Sequence, residues 1–260
     1  VVGGPSGSLS EGFSCALSNA GAVKCWGASA EGQLGWGYTY SSASPVEVTG
    51  LQSGVIQITA AEYHACALTQ SGQVKCWGNG VGYKLGDGTE TNRLTPVTVV
   101  GLPSDIVAVE AGKWATCALT SGGAVLCWGS GSVANNSKSP SYITGLDSGV
   151  SQITVGSDHA CAVMASGKIK CWGDSLYGRL GNGVVNSVGV TTPVEVLTSA
   201  GGAALTGVVA AAASTGNTCA LTSNDGVKCW GNAGSGALGD DGGAGAVRPP
   251  WRGRSPACRS

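Results

Sequence analysis

Eleven cysteines and two histidines are the side chains of this sequence with the chemistry to make a metal site, a redox centre or a covalent staple. Ten of the cysteines fall into pairs: Cys15 with Cys25, Cys66 with Cys76, Cys117 with Cys127, Cys161 with Cys171, and Cys219 with Cys229, each ten residues apart. Zinc sites draw on knuckles with about two to four intervening residues and need four converging ligands, whereas a pair at this wider spacing supplies only two. A helix would hold the two Cα atoms about 15 Å apart, and a single extended strand more than about 30 Å apart. A hairpin turning over Gln70-Ser71-Gly72 instead opposes Cys66 to Cys76, Leu68 to Val74 and Thr69 to Gln73. Directly opposed antiparallel residues sit about 4.5–5.5 Å apart at Cα, within the roughly 4.4–6.8 Å span of a disulfide. The spacing therefore predicts five cross-strand disulfides and no metal, cofactor or catalytic thiol.

The elements that position these pairs recur with them. Each first cysteine opens Cys-Ala-Leu or Cys-Ala-Val, each second opens Cys-Trp-Gly, and successive first cysteines are 51, 51, 44 and 58 residues apart. A turn glycine stands six residues after the first cysteine at Gly21, Gly72, Gly123 and Gly167. In the fifth copy Asp225 takes that place ahead of Gly226, and Asp is one of the few residues that visit the left-handed region. After Cys-Trp-Gly comes a glycine-rich turn ending in Leu-Gly, at Leu34-Gly35, Leu85-Gly86, Leu180-Gly181 and Leu238-Gly239, which the third copy lacks. A proline-led segment follows at Pro45, Pro96, Pro140 and Pro193, then a short apolar strand such as Val55-Ile-Gln-Ile58. Four short strands per period, punctuated by Gly, Pro and Ser, read as one β-propeller blade.

His-x-Cys-Ala-Leu, the hairpin glycine, Cys-Trp-Gly and Gly-x-Leu-Gly together resemble the regulator of chromosome condensation repeat family, in its cysteine-bearing bacterial and extracellular form. The resemblance spans about residues 11–240. It implies an all-β propeller of four-stranded blades that closes with seven, of which five repeats are present here. At this period seven would need roughly 360 residues. Residues 1–240 are expected to be the propeller, and residues 241–260 an off-pattern tail. That tail holds Arg248, Arg252, Arg254, Arg259 and the unpaired Cys258, and matches no repeat landmark. A reading-frame slip near Asp241 accounts for the arginines and the lost landmarks together, whereas a basic interaction tail accounts for the arginines alone. The chain opens on Val1-Val2-Gly3-Gly4 without Met, so a mature form or a fragment is expected, monomeric when complete.

Composition narrows the partners. Charged residues make up 11% and the net charge is −1, which offers no basic surface for nucleic acid. The longest apolar run, Ala203 to Ala213, is about half the length of a membrane-spanning helix and matches a strand of the other repeats. His64 and His159 both stand two residues before the first cysteine of a repeat, where the other copies have Phe13, Ala115 and Asn217. A catalytic histidine would not be expected to recur at one repeat position, so each is expected to make a hydrogen bond within its blade. No paired carboxylates, nucleophile elbow or phosphate loop is present. Trp26, Trp77, Trp128, Trp172 and Trp230 belong to the repeat, whereas Trp36 and Trp114 break it and are the candidates for partner contact. Asn135-Asn-Ser137 is a formal glycosylation site in a eukaryotic host.

Paired cysteines and low charge point to a non-catalytic binding scaffold, secreted, periplasmic or on the cell surface, that presents its loops to a protein or glycan. The alternative, implied by the family resemblance, is a guanine-nucleotide exchange factor-like regulator of a small GTPase. Thiol titration of the unfolded, unreduced protein is expected to give one free thiol, from Cys258. Eleven would overturn the disulfide assignment and the oxidising compartment together.

Overall fold

The computed structural model describes residues 1–4, 12–185 and 188–239, arranged as five antiparallel sheets in sequence order. Blade 1 is β1 (Val2–Gly4), β2 (Phe13–Leu17), β3 (Val23–Gly27) and β4 (Ser42–Glu47). Blade 2 is β5 (Val55–Ala60), β6 (His64–Thr69), β7 (Val74–Gly78) and β8 (Arg93–Thr98). Blade 3 is β9 (Ile106–Ala111), β10 (Ala115–Thr120), β11 (Val125–Gly129) and β12 (Ser141–Tyr142). Blade 4 is β13 (Val150–Val155), β14 (His159–Met164), β15 (Ile169–Gly173) and β16 (Val190–Glu195). Blade 5 shows β17 (Val208–Ala213), β18 (Asn217–Thr222) and β19 (Val227–Gly231). In each four-stranded sheet the strands pair as a simple meander, and β5, β9, β13 and β17 neighbour one another as the innermost strands. The apolar run ending at Ala213 forms strand β17, and among the described residues no helix is long and apolar enough to cross a membrane. The expected tail, with Cys258 and four arginines, lies outside the described residues.

The hairpin register is set locally. Gly21, Gly72, Gly123 and Gly167 all take φ between +77° and +80°, and Asp225 takes +59° in the fifth copy. Those turns oppose Leu68 to Val74 in blade 2, with the equivalent pairing in every blade. They also bring each pair of cysteines face to face. Disulfides join Cys15 to Cys25, Cys66 to Cys76, Cys117 to Cys127, Cys161 to Cys171 and Cys219 to Cys229, with Cα atoms 4.0–4.1 Å apart. That separation is shorter than the one expected for opposed residues, and the register gives the reason. Thr69 donates its N–H to the Gln73 carbonyl, so counting back from that hydrogen-bonded pair puts the cysteines at a non-hydrogen-bonded one, where the strands approach most closely.

Alternation along these strands then divides each sheet into two unlike faces. Toward the following blade, blade 2 presents Cys66, Leu68, Val74 and Cys76, which pack on Ile106, Val109, Ala118 and Trp128 of blade 3. Toward the preceding blade it presents Val55, Ile58, Ala65, Ala67 and Trp77, which pack on Phe13, Cys15, Val23 and Cys25. Cys117 and Cys127 lie in the same way between blades 3 and 4, and Cys161 and Cys171 between blades 4 and 5. The disulfides are thus covalently local yet lie inside the cores between blades: the eight cysteines of blades 1 to 4 are fully buried, whereas Cys219 and Cys229 of blade 5 are partly exposed. Small alanines on the facing strand leave room for the bridge.

The tryptophans join the blades. Trp77, Trp128, Trp172 and Trp230 are fully buried, and each donates its indole N–H to a carbonyl of the preceding blade: Gln33, Lys84, Val133 and Arg179, at 2.8–3.0 Å. Trp26, in the first blade, is only half buried. Burying an aromatic ring removes about 150–250 Å² from water, roughly 4–6 kcal/mol before entropy is charged against it. A ten-residue disulfide loop contributes at most about 3 kcal/mol, and that to the hairpin rather than to the blade contact. The ring is therefore held together more by the indoles than by the bridges.

The accepting carbonyl belongs to the Gly-x-Leu-Gly turn, and its last glycine has no room for a side chain. A Cβ on Gly86, at φ +69°, would stand 2.7 Å from Trp128 Nε1. The third copy was expected to lack this turn. Instead Val133-Ala134-Asn135 forms it, with Ala in the leucine position and Asn135 at φ +51° in place of glycine. Asn tolerates that region, and a shorter loop before it hides the match. Gly86→Ala is expected to destabilise the protein by about 2 kcal/mol or more, from left-handed strain plus the clash, as read from a denaturant midpoint. The same change at Gly88, whose Cβ would meet nothing within 4 Å, is expected to cost only the strain.

Candidate functional site

Successive turns of a meander alternate between the two ends of a blade. The cysteine hairpin turns, such as 70–73 and 121–124, therefore lie on one face of the ring. The loops after each innermost strand (61–63, 112–114, 156–158 and 214–216) share the opposite face with the long connections 28–41, 79–92 and 130–140. Both off-pattern tryptophans fall on this second face, Trp36 in the first long connection and Trp114 after β9.

Their environments differ. Trp36 is half buried against the core between blades 1 and 2, and its ring meets Tyr38 edge-on at 5.2 Å. What reaches solvent there is the stacked pair Tyr38 and Tyr40, 55% and 69% exposed. Repeat pattern alone did not single out these tyrosines; their signal was three aromatics at alternate positions in one loop. Trp114 is itself exposed, with Lys84 and Lys113 each 5.4 Å from its ring centroid. Lys113 pairs with Glu62 at 2.8 Å. Lys84 is buried, and burial pulls its ammonium down to about 8, against the pull of Glu31 and Glu62 and with the push of Lys113. Blade 4 repeats the theme with Arg179, which donates to the Leu176 carbonyl at 3.0 Å, pairs with Asp158 at 3.3 Å and lies over Tyr177 at 5.8 Å. Asn135 of the glycosylation sequence is exposed on the same face.

The cysteines take no part in this surface. All ten, from Cys15 to Cys229, are spent in disulfides that each join two strands of one sheet, so none is a thiol able to attack a substrate or hold a metal.

The histidines lie beneath these loops. His64 Nε2 is 2.9 Å from Thr116 Oγ1, and His159 Nε2 is 2.7 Å from Thr218 Oγ1. Both bonds cross to the following blade, so the expected bond within one blade is corrected. The next sheet, rather than the same one, faces that position. Thr116 gives its hydroxyl proton to the Lys84 carbonyl at 2.9 Å, which leaves His64 Nε2–H as donor and Nδ1 as an unpartnered acceptor. Where blades meet without histidine the equivalent positions are apolar and share one core, Phe13 with Ala65 and Ala115 with Ala160. Near the axis, Gln57 binds both the N–H and the carbonyl of Val109, and Gln152 does the same to Ala211, at 3.0–3.1 Å. Glu110, half-buried beside Thr59, is raised to about 7 by its loss of solvent. Both histidines and their threonine partners are fully buried, away from any surface a substrate could reach, and no group of three metal-ligating side chains forms among the described residues.

Two family models, both described as the regulator of chromosome condensation (RCC1) repeat, match this chain. One covers residues 20–68 and 71–119, the other residues 106–134 and 150–179, more than half of the chain together. The chain belongs to the regulator of chromosome condensation repeat family. Within that family, the RCC1 domain-containing protein RUG3, mitochondrial, of Arabidopsis thaliana is 32% identical over 120 residues, 45% of this chain and 27% of that protein. Prp20p from Saccharomyces cerevisiae superposes with a TM-score of 0.78 at 19% identity, over 95% of this chain and 62% of the other. The ectodomain of the Physcomitrella patens receptor kinase CR4 gives 0.56 at 21% identity, over 88% and 51%. The chain spans about a quarter or less of the length of the curated relatives RUG3, the Caenorhabditis elegans GTPase regulator homolog and human HERC2.

The histidines of this repeat protein give its stability a pH dependence of definite sign. Burial holds each imidazole down at about 3, with Lys84 or Arg179 adding to the effect. The unfolded chain therefore takes up protons that the fold does not, and stability complete above about pH 6.5 is lost as pH falls toward 3. Glu110 acts oppositely, since its folded value is raised: its contribution is complete below about 4.5 and lost as pH rises through 7. Replacing His64 and Thr116 by the Phe and Ala found between blades 1 and 2 is expected to flatten the loss of urea midpoint between pH 6.5 and 4. An unchanged slope would remove His64 as its source.

Proposed function

We propose that this chain is a non-catalytic, disulfide-stapled propeller scaffold that works outside the reducing cytosol and binds a protein through its long-loop face. The observation that carries the proposal is the concentration on that one face of exposed Trp114, Tyr38, Tyr40 and Tyr177, with partly exposed Lys113 beside Trp114 and the cations Lys84 and Arg179 buried against the rings. Aromatic and cationic side chains on a rigid frame are the composition of interface hot spots. Prp20p is described as binding Gsp1p and histones, and the CR4 propeller belongs to an ectodomain, so this architecture serves protein binding and lies outside a cell in proteins of similar fold. Five pairs of disulfide-bonded cysteines favour an oxidising compartment. Exposed Tyr38 and Tyr40 support a glycan as the alternative ligand, since stacked rings also bind sugars by their apolar faces. An exchange factor-like role toward a small GTPase is the second alternative, favoured by the fold and opposed by a cytosol that would reduce the bridges.

Pulldown with the natural chain, Trp114→Ala and the double variant Y38A/Y40A, from secreted and cytosolic fractions in parallel, separates these. A partner from the secreted fraction whose affinity falls about 30-fold or more in Trp114→Ala, a loss of hot-spot size, is the expected result. Retention of every partner by both variants would remove the long-loop face as the binding surface. Capture of a nucleotide-free GTPase under reducing conditions would favour the exchange factor.

A further inference from the structure

The loop after each innermost strand ends on an equivalent residue, Tyr63, Trp114, Asp158 and Gly216 in blades 2 to 5, and Trp114 and Gly216 lie beside a cation of the preceding blade. Equivalent hydrogen bonds establish the correspondence between blades 3 and 5. Gly112 donates to the Ala115 carbonyl and Ser130 to the Trp114 carbonyl, as Ser214 donates to Asn217 and Asn232 to Gly216, all at 2.8–2.9 Å. Lys84 and Arg179 correspond in the same way, because their carbonyls accept the indole N–H groups of Trp128 and Trp230. Between blades 2 and 3 the cation Lys84 is therefore covered by the ring of Trp114. Between blades 4 and 5 the cation is Arg179, buried and met by Tyr177 of its own blade at 5.8 Å, but the ring from the following blade is missing, since its place falls to Gly216. A cavity of about 300 Å³ is found there, lined by Arg179, Asp158, Tyr177, Gly216, Asn217 and Asn232.

We propose that this cleft between blades 4 and 5 is the binding site for an aromatic side chain, tryptophan before others, supplied by a protein partner. Trp114 shows what the repeat places over the corresponding cation. The volume is at the low end of small-ligand sites, which run from about 300 Å³ upward, and suits one ring rather than a larger molecule. The Arg179 guanidinium is oriented for stacking before any ligand arrives, by Asp158 at 3.3 Å and the Leu176 carbonyl at 3.0 Å. Tyr177, at φ +58°, occupies a position that is Gly82 in blade 2, where a Cβ would stand 2.7 Å from Ser130 Oγ. A side chain in that position separates the loops of blades 4 and 5 where those of blades 2 and 3 close together. Asn217 and Asn232, whose Oδ1 atoms accept from Ser214 Oγ and the Gly234 N–H, add amide N–H groups able to donate to the partner's backbone. The assignment rests on the proposal that this face meets a protein, but its test requires no partner in hand.

The probes are N-acetyltryptophanamide, N-acetylleucinamide and adenosine, titrated into the natural chain and followed by two-dimensional NMR. Saturable shifts at Arg179, Gly216 and Asn232 are expected for the tryptophan amide, with the leucine amide and adenosine at least tenfold weaker. Gly216→Trp installs the ring that blade 3 carries and is expected to abolish those shifts. Gly216 is outside the left-handed region and its Cβ would meet only the Asn232 side chain, at 3.2 Å, so a side chain fits there with a small adjustment. Trp114→Gly is expected to open a second saturable site at Lys84, which tests the same chemistry independently. Equal binding of the three probes, tighter binding of adenosine, or shifts that persist in Gly216→Trp with no second site in Trp114→Gly would each overturn the assignment. Saturable binding lost in Gly216→Trp stands whether or not a protein is captured through Trp114, so a failure of one proposal is visible apart from the other.

Discussion

Each Cys-Trp-Gly tryptophan from the second blade onward leaves its own sheet, enters the preceding one, and gives its indole N–H to a carbonyl that a left-handed turn holds within reach. The contact works because two requirements are met together. The indole is the largest apolar side chain and its one donor must be satisfied when it is buried. The Gly-x-Leu-Gly turn offers a carbonyl at the bottom of a slot that a side chain on Gly35, Gly86 or Gly181 would close. Adjacent blades cannot slide past one another while that bond is made, so the loops they carry are held in fixed relation.

That fixed relation turns scattered residues into a surface. Lys84 supplies a carbonyl to Trp128 from its backbone and a cation to Trp114 from its side chain, so the inter-blade contact and the exposed aromatic cluster share one residue. Arg179 does the same for Trp230 and Tyr177. The blades also differ in kind. The interfaces that blade 2 makes with blade 3, and blade 4 with blade 5, carry Gln57, Thr59 and His64 or Gln152, Thr154 and His159 across to backbone or threonine partners. The intervening interface relies on Ala108, Ala115 and Ala160. Polar contacts of this kind are costly when misaligned, so they favour one register of blade against blade where apolar packing alone would tolerate several.

Much of this was legible in the residues. The ten-residue spacing gave the hairpin and its register, down to the partners Cys127 for Cys117, Cys171 for Cys161 and Cys229 for Cys219, and Asp225 behaved as a left-handed substitute for glycine. Other features escaped for identifiable reasons. Asn135 replaced a glycine in a shortened loop, so the third Gly-x-Leu-Gly turn went unrecognised. The histidine bonds were placed within a blade because sequence neighbours share a sheet, whereas the residue facing His64 is 52 positions away. Trp36 stood out as off-pattern, yet the core takes up much of its ring and leaves Tyr38 and Tyr40 as the exposed members of that loop.

The sequence by itself determined whatever depends on contacts within one hairpin: which cysteines oppose each other, where the chain turns, which residues alternate to each face, and how many such units follow one another. Those interactions close over about ten residues, and turn geometry leaves them one register. Only the tertiary structure decided what meets across blades: the carbonyl that receives each indole, the threonine that receives each histidine, and the cleft left where Gly216 stands instead of a tryptophan. Those contacts join residues 39–59 positions apart, and they exist only because sheet packs on sheet.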